Sequence, residues 1–171
     1  MSNITQLQYQ GNVTISLKIK DKVKKLKLHN NGTAALQEIF ARIMANDSDS
    51  TAEFRNMTPN YLDLCRSSDG EEWYTCLLDI INIPTTARRA TIDDNNEWVA
   101  RFTATIRYDD LIVPIESTDT DKFRLYLYYM NSERGRADLA YLDVSAIDIS
   151  KISPGTQAII EWDMKLKVNE G

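Results

Sequence analysis

The chain has 171 residues, 43% of them apolar and 26% charged, with only four Pro and six Gly. That balance suits one packed domain spanning 1–171 and excludes a disordered, fibrous or linker-dominated chain. The formal net charge is −5, yet residues 18–27 hold six Lys and one Asp, leaving fourteen basic against twenty-four acidic residues elsewhere.

Residues 1–10 (MSNITQLQYQ) are polar and read as an N-terminal arm, without the basic and apolar regions of a secretory signal peptide. NVTISLKIK then alternates strictly. Val13, Ile15, Leu17 and Ile19 take one side, and Thr14, Ser16, Lys18 and Lys20 the other. A period of two over such a length marks a strand with one face on a core and one in water. VKKLKL at 23–28 turns back on it through Lys20-Asp21-Lys22, with a slip of register expected at Lys24 and Lys25.

LHNNGTAALQEIFARIMAN, residues 28–46, places a Gly-Thr pair between a strand and a helix, where nucleotide-binding proteins carry phosphate loops. The stretch has neither the second glycine and the lysine of the triphosphatase loop nor the three glycines of the dinucleotide fingerprint. It reads instead as a capped junction, with Thr33 as N-cap. Leu36, Ile39, Phe40, Ile43 and Met44 form one apolar helical stripe over about 33–45. The polar run 46–60 is expected to be a surface loop.

YLDLCR and WYTCLLDII flank Asp69-Gly70, a hairpin signal, and if the two segments pair as a hairpin Cys65 would face Cys76. Both thiols are expected to be reduced, and two Cys with one His do not complete a zinc site. RRATI, DLIVPI and DLAYLDV are shorter strand candidates, the last losing its apolar register near Ser145. In EWVARFTATIRY, Trp98, Ala100, Phe102, Ala104, Ile106 and Tyr108 share a side. In TQAIIEWDMKLKV, Ala158, Ile160, Trp162, Met164, Leu166 and Val168 do. Trp98 and Trp162 are both expected in the core.

FRLYLYYM is apolar or aromatic on both sides. It is either a central strand covered twice, or its Tyr126, Tyr128 and Met130 strip meets a partner; the pattern leaves both open. Together these segments predict a mainly β fold. Its form is an antiparallel sandwich or flattened barrel of nine or ten strands, with one amphipathic helix.

Chemistry is sparsely signalled. His29, the single histidine, has no nucleophile elbow to serve. The run 47–58 begins like a calcium loop but has Ala52 and Thr58 where glycine and the bidentate glutamate belong. Two further acidic clusters, 92–97 and 117–122, read as solvated loops. Interleaved lysine and aliphatic residues can grip phosphate but read no base sequence, so sequence-specific nucleic-acid binding is not expected. No catalytic, cofactor or metal residue is assigned, and neither an enzyme nor a small-molecule site is expected. Trp73 and Tyr74, beside the turn, are the candidate surface aromatics. No segment approaches the roughly 18 uninterrupted apolar residues of a membrane span.

Residues 11–46 (GNVTISLKIKDKVKKLKLHNNGTAALQEIFARIMAN) and 153–168 (SPGTQAIIEWDMKLKV) resemble small virion structural proteins of tailed bacteriophages, including crAss-like phages of Bacteroides. The shared pattern is a Gly-started hairpin, a His-Asn-x-Gly-Thr turn, a short amphipathic helix and a closing strand. The resemblance implies a non-enzymatic, multicopy virion part, such as a neck, collar or tail ring, or a capsid-associated protein. It would be made in the host cytoplasm, and its partners would be copies of itself and other virion proteins. No catalytic residue or cofactor comes with it. On this reading the contact candidates are Lys18, Lys20, Lys22 and Lys24 with Tyr126, Tyr128 and Met130. The alternative is a monomeric β-sandwich that binds carbohydrate or a host surface through Trp73 and Tyr74.

Overall fold

The computed structural model describes residues 5–19, 22–45, 58–67, 75–76, 81–131 and 135–170. Lys20, Trp73, Tyr74, the Asp69-Gly70 turn and most of the expected 46–60 loop lie outside them. In chain order the elements are β1 (Thr5–Ile19), β2 (Lys22–Gly32), α1 (Ala34–Ala45), β3 (Tyr61–Ser67) and β4 (Thr75–Cys76). Then come β5 (Ile81–Asn82), β6 (Arg88–Ile92), β7 (Trp98–Arg107), β8 (Lys122–Asn131), β9 (Gly135–Val144), α2 (Ala146–Ile149) and β10 (Thr156–Glu170).

All pairings are antiparallel, in the order β4-β3-β8-β9-β2-β1-β10-β7-β6, with β5 also on β3. Among the described residues the order does not return on itself, so the fold is sandwich-like rather than a closed barrel. β2 joins the two halves. Lys22–Asn30 pair with β1, whereas Asn31 and Gly32 pair with Tyr141 and Ala140 of β9. The halves share one core. Phe102, Ile106, Ile160 and Trp162 from one meet Leu62, Leu64, Phe123, Leu125 and Leu142 from the other.

The β1–β2 pairing runs from Gly11↔Asn30 to Ile19↔Lys22 without interruption, so the slip expected at Lys24–Lys25 does not occur. The reason is apolar. Leu26 and Leu28 pack on the core and must stay opposite Ile15 and Val13, which carries the rest of the strand along in register. DLIVPI is not a strand either. A 3-10 turn spans Tyr108–Asp110, and Asp110 Oδ2 accepts the Arg107 N–H at 2.7 Å. Pro114 then offers no ladder donor, and only Ile115 of the run is buried.

Two turns follow their residues closely. At Ser153-Pro154-Gly155-Thr156, Gly155 has φ +82° and the Thr156 N–H donates to Ser153 O at 2.9 Å. That is a type II turn, with proline and glycine where its backbone demands them. Near Ser145, where the apolar register was expected to fail, β9 ends and Ser145 Oγ caps the four-residue α2 by accepting the Asp148 N–H at 3.2 Å. Four residues are too few to show helical periodicity in sequence.

α1 packs on β9, where Ile39 meets Leu139 among Ala35, Tyr129 and Ala137. The β8–β9 register shifts there: Leu127 pairs with Ala140 but Tyr128 with Asp138, leaving Leu139 as an inserted residue. Such a bulge interrupts the ladder and frees carbonyls. Thr33 takes them, its hydroxyl donating to Asp138 O at 2.6 Å and its amide to Leu139 O at 3.1 Å. The same hydroxyl oxygen accepts the Leu36 N–H at 3.3 Å, the N-cap bond expected of Thr33. The strand-to-helix junction is thus tied to the sheet by Thr33, whose amide is turned to β9 rather than to an anion.

Candidate interaction surface

The two tryptophans separate. Trp162 is 1% exposed, but Trp98 is 69% exposed, contrary to the expectation that it lies in the core. Trp98 does share its side of β7 with Phe102 and Ala104, and its strand neighbour Ile92 is 47% exposed. Alternation fixes the side on which a residue falls, not whether an opposing layer reaches that far.

Between the core and this exposed pair lies a row whose residues, Met164 apart, are small. Gly11, Met164, Ala100 and Ala90 are consecutive cross-strand neighbours on β1, β10, β7 and β6. Ala90 and Ala100 are exposed, and Met164 is half-buried. Because Ile39 ties α1 to β9, the helix leaves Leu36 and Phe40 along the row's other side. The result is a groove of about 800 Å³, apolar apart from its Thr33, Gln37 and Lys165 members. The one signal in the sequence is the pair of alanines at the same parity as Trp98, which lowers the sheet surface beside a large ring.

The reverse side of this half is charged. Arg101 forms a two-pronged bond with Asp163, Nε to Oδ1 at 2.8 Å and a terminal nitrogen to Oδ2 at 2.9 Å, with Glu161 at 3.4 Å. The acidic cluster at 92–97 is the β6–β7 turn. Asp93 Oδ1 accepts the N–H groups of Asn95 and Glu97 at 2.9 and 3.0 Å, and Asn96 takes φ +62°. Its remaining carboxylate atoms close on Lys165, whose Nζ donates to Asp93 Oδ2 at 3.0 Å and Glu97 Oε1 at 3.3 Å. The bond to Asp93 raises the Lys165 pKa, and the bond from Lys165 lowers that of Asp93.

The second cluster, 117–122, flanks a cation in the same way: Asp119 and Asp121 stand 3.9 and 3.5 Å from Arg66. Among the described residues no group of three or more His, Cys, Asp or Glu is arranged to hold a metal ion. His29 is exposed and opposite Asn12, near Lys25, Lys27 and Asp94.

β8 is central in its half, between β3 and β9. Its outer side is a stack of rings and guanidinium groups. Arg124 lies 3.9 Å from the Tyr141 ring centre, Arg136 lies 4.0 Å from that of Tyr128, and Tyr128 stacks on Tyr61 at 5.4 Å. Asp63 and Asp138 each hold Arg136 at 2.7 Å, and Asp143 holds Arg124 at 2.7 Å. Desolvation opposes the charge on each arginine, but these carboxylate bonds prevail and leave both pKa values raised. Tyr128 is buried, whereas Tyr126 and Met130 are half-buried.

Of the expected contact residues, Lys18 lies opposite Val23, Lys22 opposite Ile19 and Lys24 opposite Leu17. Lys18 and the other two therefore occupy alternate positions of the pleat rather than one row. Lys20 lies outside the described residues, as do Trp73 and Tyr74. Cys65 is buried and opposite Cys76, as the hairpin reading requires. No helix among the described residues is long and apolar enough to cross a membrane. Protein-family models, curated proteins and solved structures yield no match to this chain.

Proposed function

We propose that the chain is a structural component of a tailed-phage virion, a neck, collar, tail-ring or capsid-associated part that works by multicopy assembly without catalysis. The observation that carries this reading is the exposed Trp98 lining an apolar groove, with the exposed Ile92 as its cross-strand neighbour. Large apolar side chains that open into a recess are the usual centre of a protein contact. A groove with so few polar groups suits protein side chains better than a sugar, which needs donors and acceptors for its hydroxyls.

The lysine-rich hairpin against an otherwise acidic chain supplies the orienting charge. Light scattering in low and high salt tests the reading: an oligomer is expected, and its larger forms should weaken as salt rises. A monomer under both conditions would contradict it.

Trp98 is also an exposed ring, which favours the second reading, a monomeric module for carbohydrate or a host surface. Strong glycan-array binding by a monomer would select that reading.

A further inference from the structure

β1 and β10 pair over their full lengths, from Thr5↔Glu170 to Ile19↔Thr156, but their neighbours stop short. β2 ends its pairing with β1 at Gly11↔Asn30, and β7 ends its pairing with β10 at Met164↔Ala100. Thr5–Gln10 and Lys165–Glu170 therefore continue as a two-stranded ribbon, to which no third strand is paired among the described residues. At ~3.4 Å per residue it extends about 20 Å. Two strands alone are marginal in water and need a surface to lie on.

The pleat suggests which side must be covered. Leu7, Tyr9, Leu166 and Val168 share the register parity of Met164, which lines the groove. The opposite parity carries Gln6, Gln8, Gln10, Lys165, Lys167 and Asn169. The groove's wall, α1, has 12 residues and so runs about 18 Å, close to the ribbon's length.

We propose that the ribbon of a second copy of this chain lies in the groove between α1 and Trp98, and that the exchange is reciprocal about a two-fold axis. The inference rests on the assembly reading and specifies one of its contacts. A projecting strip and a recess side by side on one apolar surface complement themselves when a copy is turned by a two-fold. Lys165 is the one charged residue of the lining and is already neutralised by Asp93 and Glu97, so docking strips water from no unpaired charge.

The test is sedimentation equilibrium of the wild-type chain, Trp98→Glu and Tyr9→Glu in low and high salt, with Ile112→Glu as a control. Ile112 is 60% exposed and lies beyond the other end of β7. Circular dichroism melts show which variants fold, and the Trp98 change should not disturb folding at so exposed a site. A dimer that survives high salt, unchanged in Ile112→Glu and weakened by about 30-fold or more in both other variants, is the expected result. A salt-sensitive oligomer that persists in Trp98→Glu overturns the exchange and leaves assembly through the hairpin standing. A monomer at every salt concentration overturns both readings. Loss of the dimer in Tyr9→Glu alone rejects the groove as the ribbon's seat.

Discussion

Lys165 is an ammonium removed almost wholly from water, with its side chain 4% exposed, and two carboxylates of one turn hold it there. The direction of each pKa shift fixes the pH dependence. Asp93 sits below its ordinary value in the fold, so its contribution is present above the usual carboxylate range and is lost as pH falls through the lowered value. Lys165 sits above its ordinary value, so its contribution is present below the usual lysine range and is lost as pH rises through the raised one. The pair therefore supports the fold evenly between about pH 5 and pH 10 and fails at either extreme. Asp93→Asn should lower the urea midpoint at neutral pH and flatten its decline in acid. Midpoints measured for both proteins across that range check this. Parallel acid curves would mean that another carboxylate carries the dependence.

At the scale of elements, α1 depends on one side chain. Thr33 caps the helix and occupies the carbonyls freed by the β9 bulge, so its hydroxyl ties two elements at once. Thr33→Ala should cost about 1–2 kcal/mol, at the upper end for caps, while Thr33→Ser retains most of it. Urea unfolding of the three proteins gives the comparison; equal stability of alanine and serine variants would remove the hydroxyl from the account. The cap and the helix are legible in TAALQEIFARIMA because both are local. Its partner is not, since the bulge at Leu139 arises from pairing with β8 and leaves no mark within DLAYLDV.

The same division holds elsewhere. Alternation in β1, β7 and β10 reveals strands and their inner sides, but Trp98 shows that an inner side extends past the layer that covers it. DLIVPI has the apolar content of a strand, yet Pro114 has no N–H to give and the Leu111 N–H turns back to Tyr108 O. The acidic turn at 92–97 resembles a cation loop and does hold a cation, but that cation comes from β10, far along the chain. What the sequence conveys is local hydrogen bonding and parity; what it withholds is which distant groups arrive.

For the whole molecule, the charge of the β1–β2 hairpin and the apolar groove make separable demands. Each Lys→Glu change subtracts two charges, so reversing Lys18, Lys20, Lys22 and Lys24 takes the formal net charge from −5 to −13. The pleat alternates Lys18 with Lys22 and Lys24, so the hairpin presents lysine positions on both of its sides. A field of that kind steers association and is screened beyond roughly 8–10 Å at ordinary ionic strength. The fourfold reversal should leave the circular dichroism spectrum intact, because the register is held by Leu26 and Leu28 rather than by these positions. It should abolish the salt-sensitive higher oligomers while sparing a dimer made by ribbon exchange. Light scattering reads both species in one experiment. Higher oligomers of unchanged mass in the reversed protein would remove electrostatic docking from the mechanism, and loss of the dimer as well would mean that hairpin and groove form a single contact.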